Sequence, residues 1–120
     1  MNDIITHLLK NINTDVPNIM YIICDYFKTT EYSLWIKNGQ VFNTSEKLQR
    51  EDVDWCDEIQ TINDYIVIPE TNYILCLCFQ NKKLPIDEVK NHAQVFKLLS
   101  LIINTKTNDE KAKKKNKHEQ

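Results

Sequence analysis

The chain holds one glycine, Gly39, and it lies in the pair Asn38-Gly39 between two runs of aromatic and β-branched residues, "YSLWIKNGQVFNTS". That feature constrains the fold twice. A phosphate-cradling loop or a dinucleotide fingerprint needs several glycines for close backbone approach, so both are excluded. Asn-Gly is also a favoured pair for a tight hairpin turn, which predicts strands over 32–37 and 40–44.

Other segments show different periods. Ile4, Ile5, Leu8, Leu9 and Ile12 recur at helical spacing over 2–12. Asp15 is a fair N-cap for a second helix over 16–29, with Pro17 in its first turn and a stripe of Val16, Ile19, Met20, Ile23 and Phe27. Ser45 to Gln49 suggests a turn or short helix. "REDVDWCDEI" is acidic, with Val53, Trp55, Cys56 and Ile59 as inward anchors of a loose helix or loop. "DYIVIP" and "NYILCLCF" read as strands at 64–68 and 73–79, joined by a turn at "PETN". Pro85, Asp87 and Glu88 open a last helix to about residue 104. Its face is Val89, His92, Ala93, Phe96, Leu99, Ile102 and Ile103, widened by Val95 and Leu98.

Hairpin strands with helices at both ends of the chain predict an α+β domain over 1–104. Its small antiparallel sheet has four to five strands. The terminal helices cover one face and the middle segment roofs the other. The chain of 120 residues fits one domain, and 105–120 reads as a charged, flexible tail or linker. Residues 1–104 hold nine Lys/Arg against fourteen Asp/Glu, whereas 105–120 hold six Lys against three acids. An acidic body argues against nucleic acid, which needs a basic surface, and the lysine tail has no aromatic residue to stack on bases. No apolar run approaches the roughly 20 residues of a membrane span. The start, "MNDIITHLLKNINTD", lacks the pattern of a secretory signal, so the expected compartment is the cytoplasm.

The order of elements from 15 to 104, and "FQNKKLPIDEVKNHAQ" after the second hairpin, resemble a GAF domain. PAS and roadblock folds would give a similar string. The resemblance implies a non-catalytic sensory or regulatory domain. It implies pairing into a homodimer through terminal helices and a signal relayed by the last helix into an output module, for instance a histidine kinase. The alternative is a free-standing interaction or inhibitor protein with no ligand. No nucleophile turn or set of environment-shifted carboxylates favours an enzyme.

Four cysteines are the candidate site: Cys24, Cys56, Cys76 and Cys78, with 31, 19 and one residues between them. In a strand, Cys76 and Cys78 face the same way with Cα atoms about 6.8 Å apart, at the upper edge of disulfide geometry. The spacing is not that of a zinc finger. It resembles the widely spaced cysteines ending in C-x-C of an iron–sulphur GAF sensor, which implies a [2Fe–2S] cluster. Plain packing as small hydrophobes and thiol redox signalling are the other readings. His92 reads as a core or dimer-face histidine, and His7 and His118 have no partner in view. Trp55 among Asp52, Asp54, Asp57 and Glu58 is an anchor on a solvated acidic segment or the lip of a pocket. The apolar width of the last helix places a dimer interface at Leu98, Leu101 and Ile102.

Overall fold

The computed structural model describes residues 2–43, 48–79 and 83–118, with side chains over 4–43, 48–79 and 83–108. Two helices, α1 (Asn2–Lys10) and α2 (Val16–Phe27), lead into β1 (Glu31–Ile36) and β2 (Val41–Asn43). A 3-10 turn, Arg50–Asp52, precedes β3 (Gln60–Ile62), β4 (Tyr65–Pro69) and β5 (Tyr73–Cys78). Two more helices close the chain, α3 (Ile86–Asn91) and α4 (Ala93–His118). The fold is α+β around one antiparallel sheet of order β2-β1-β5-β4-β3. Residues 44–47, where the sequence suggests a turn or short helix from Ser45, lie outside the described residues.

The local chemistry explains the ends of the elements. The Asp15 carboxylate accepts the Asn18 N–H at 3.1 Å, which caps α2, and Pro17 loses no bond in the first turn. At the other end Lys28 takes φ 61°, so that its N–H and that of Thr29 reach the carbonyls of Asp25 and Cys24. The hairpin at Asn38-Gly39 forms, but not as the two-residue turn in which both central residues have positive φ. Only Gly39 does, at 102°. The Gly39 N–H closes onto the Ile36 carbonyl at 2.9 Å, and the Ile36 N–H bonds the Gln40 carbonyl at 2.9 Å. This is a wider turn followed by a left-handed residue. A Cβ at Gly39 would meet no atom within 4 Å, so Gly39→Ala isolates the backbone cost. It should lower stability by about 1 kcal/mol in a urea titration.

Strand parity builds two cores. On one side Tyr32, Leu34 and Ile36 of β1, Ile66 and Ile68 of β4, and Tyr73, Leu75 and Leu77 of β5 join the buried stripes of the helices. From α4 these are Val95, Phe96, Leu99 and Ile103. On the other side Trp35, Tyr65, Val67, Ile74, Cys76 and Cys78 pack beneath Leu48, Val53 and Cys56, the expected roof. The central β5 is therefore buried at all six positions. Trp55 is not an inward anchor: it is 66% exposed, and its indole N–H donates to the Asp52 carbonyl at 3.0 Å.

The last helix differs from the expected one. It breaks at His92, whose backbone takes φ −106° and ψ 31°. Its ring Nδ1 sits 2.8 Å from the Glu88 carbonyl, and its Nε2 sits 2.8 Å from the Tyr26 hydroxyl. The ring and the His92 N–H thus converge on one carbonyl, and α3 ends there. Beyond the break α4 does not stop near 104. It continues as helix to His118, through lysines that favour helix intrinsically.

Candidate functional site on the outer face of α2

The four cysteines do not assemble. Cys24 belongs to the core on the helix side, whereas Cys56, Cys76 and Cys78 belong to the core beneath the roof. The sheet stands between them because α2 and the 48–56 segment cover opposite faces. Cys76 and Cys78 do share a face, as strand parity requires. Among the described residues no group of three or more His, Cys, Asp or Glu is placed to hold a metal ion. The four-thiol cluster that the spacing resembles does not fit this chain.

Nor are Cys24, Cys56 and Cys76 activated. Burial pushes Cys24 up to about 12 from an ordinary value of 9.0. Burial pushes Cys76 up as well, with the nearby Cys56 adding to it. Cys56 is raised by burial and by the Asp57 carboxylate. A thiol of this kind is a packing group, because nucleophilic attack and metal binding need the thiolate.

A concave surface lies on the outer face of α2. The inward stripe leaves Pro17, Asn18, Tyr21 and Asp25 outward, and Tyr21 is 72% exposed. A hollow of about 570 Å³ opens between α2 and the start of β1, lined by Pro17, Tyr21, Cys24, Asp25, Thr29 and neighbouring Thr30 and Tyr32. That is the size range of small-molecule sites. Its floor is fixed. The Thr29 hydroxyl donates to the Glu31 carbonyl at 3.2 Å and lies against the Cys78 carbonyl, tying α2's end to β5. Burial first, then Cys24 and Asp15, pushes the Tyr32 hydroxyl up from 10.0, so it stays protonated at neutral pH. A smaller hollow of about 260 Å³ faces α1 across Tyr21 and Asp25, with His7, Asn11, Thr14 and Asn18 on its walls.

Sequence reading named none of the larger hollow's residues as a site except Cys24. The available signal was Tyr21 and Asp25, four apart on the side of α2 away from its apolar stripe, hence neighbours on one helix face.

The proposed dimer residues separate. Ile102 is 1% exposed, whereas Leu98 is half-buried and packs partly against the core. Leu101 is 64% exposed. His92 is a buried-edge connector rather than a ligand, with Tyr26 and Phe27 edge-on at 5.2 and 5.7 Å. His118 lies beyond the described side chains.

No family model, no curated protein and no solved structure matches the chain. No helix among the described residues is long and apolar enough to cross a membrane.

Proposed function

We propose that the chain is a small non-catalytic sensory or regulatory domain of the cytoplasm, GAF-like in its workings. It acts as a homodimer and relays a signal through α4 to an output module such as a histidine kinase. The observation that carries this reading is a continuous side-chain path from the hollow on α2 to α4. Tyr26 and Phe27 follow the hollow's Cys24 and Asp25 on α2. Tyr26 bonds His92 at the helix break, and Phe27 stacks on Phe96 of α4 at 5.7 Å and 17°. A shift of α2 therefore acts directly on the start of α4. From there α4 is held to the sheet. The Tyr73 hydroxyl donates to the Phe96 carbonyl at 2.7 Å. Asn72 and Ser100 exchange two bonds, the Asn72 amide to the Ser100 carbonyl at 2.9 Å and the Ser100 hydroxyl to the Asn72 oxygen at 2.6 Å. Past this clamp the helix runs on to His118.

Among the described residues Leu101 is the large exposed apolar side chain on that helix, and the place to break a dimer. Leu101→Asp should convert dimer to monomer in sedimentation equilibrium while the circular dichroism spectrum stays that of the folded chain, because the exposed side chain adds nothing to the core. An unmodified protein that stays monomeric at high concentration removes the dimer. It then favours the second reading, a free-standing interaction or inhibitor protein. The exposed Trp55 among exposed Asp52, Asp54, Asp57 and Glu58 supports that second reading, since large aromatics with a bonded polar edge are typical interface anchors.

A further inference from the structure

We infer that the larger hollow on α2 binds a small organic cation, an ammonium group carried on an apolar or aromatic body. The binding claim stands on the hollow itself; only its consequence for α4 rests on the sensory reading.

Charge is the first argument. Among the described residues no lysine or arginine lines either hollow, and the charged group that lines the larger one is the Asp25 carboxylate. Among the described residues Asp25 has no ion-pair partner; the one pair present is Arg50–Asp54 at 3.9 Å, on the acidic segment. Residues 1–104 carry the net negative charge of the chain, which raises the local concentration of cations.

The walls are the second. Tyr21 stands in solvent at one side and Tyr32 is buried at the other. Aromatic faces attract a cation through the ring quadrupole and also pack an apolar body. Pro17 and the uncharged Cys24 add apolar surface, and Thr29 and Thr30 line the remainder. An anion would meet Asp25 with no cationic side chain to neutralise it among the described lining residues. A neutral apolar ligand would leave that carboxylate at the mouth unused. The smaller hollow suits a cation less, since the Lys106 ammonium already bonds the carbonyl of Thr14 on its wall.

The test is a titration followed by two-dimensional NMR, with phenethylammonium as probe and 2-phenylethanol as its neutral counterpart. The ammonium should bind saturably, with shifts centred on residues 17–32, and about five- to tenfold more tightly than the alcohol. Asp25→Asn should cut that preference to about twofold, the share left to the aromatic faces. Tyr21→Leu should weaken the ammonium several-fold while Tyr21→Phe retains it; both positions are exposed, so the variants keep the fold. Equal binding of the two probes, no saturable binding of the ammonium, or an Asp25→Asn protein with the full preference each overturns the inference. If the ammonium binds as expected but hydrogen exchange along α4 does not change, the site stands and the relay through α4 falls.

Discussion

Replacing Phe96 by alanine should remove about 3–5 kcal/mol of folding stability, the usual cost of truncating a fully buried aromatic. Phe96 is 1% exposed, in the first turn of α4, and its ring stacks on Phe27. Its carbonyl also receives the buried Tyr73 hydroxyl, so a backbone adjustment that closes the cavity would disturb that bond. Both features resist relaxation, which puts the change at the upper part of the range. A small domain has roughly 5–15 kcal/mol in total, so the variant should be close to unfolding at room temperature. Urea titration reads it as a large fall in midpoint with the slope retained. A loss below about 1 kcal/mol would mean that the α2–α4 junction is loosely packed, and the proposed path through Phe27 would go with it.

Why that junction escaped the sequence is instructive. The apolar positions Val89, Val95, Phe96 and Leu99 continue across His92 without an obvious interruption, and there is no glycine or proline to mark a stop. At the break the His92 ring turns back onto the Glu88 carbonyl, and its other nitrogen meets the hydroxyl of Tyr26, 66 positions away. Long-range partners of that kind leave no local pattern. β3 escaped for another reason: Gln60, Thr61 and Ile62 are too few for a period to show. The excess width of the last helix was legible, but not its use. α1 packs on α4, and Ile102 is buried within the chain itself.

What could be read was what alternation and end chemistry govern locally. The Asn38-Gly39 hairpin, the strand pair 64–79, the Asp15 cap and the stripe of α2 all appear at or near the expected positions. The shared face of Cys76 and Cys78 followed from strand parity. Whether Cys24 and Cys56 converge was left open by the sequence; the structure puts them in separate cores. The hollow on α2 was not legible, because it is a gap between a helix and the strand that follows it. A gap depends on how far two elements stand apart, and no residue in "TTEY" encodes that distance.

The buried thiols lead to a strong alkaline instability. Cys24 keeps its proton to about pH 12 in the folded chain, and burial raises Cys76 too. In the unfolded chain both ionise near the ordinary 9.0. Below pH 8 folded and unfolded chains hold the same thiol protons, so these groups add no pH dependence. Above pH 9 the unfolded chain releases protons that the folded one retains, and stability must fall as pH rises. Each such thiol costs about 1.4 kcal/mol per pH unit, or about 2 kcal/mol at pH 10.5. The two together take about 4 kcal/mol, a large share of what a domain of this size has. Tyr73, raised well above 10.0 by burial and then by Glu70, adds to the fall beyond pH 10. The urea midpoint should therefore be level from pH 7 to 8 as far as these groups act, then drop steeply toward pH 10.5. A Cys24→Ala/Cys76→Ala protein starts lower, from its cavities, but should fall less steeply. The same burial predicts that iodoacetamide at pH 8 modifies Cys24 about a thousandfold more slowly in the folded chain than in urea, in proportion to its thiolate. Rapid labelling of Cys24 in the folded protein, or a midpoint unchanged between pH 8 and 10.5, would show that these thiols are reached by water. They would then be free to act as reactive groups instead of core.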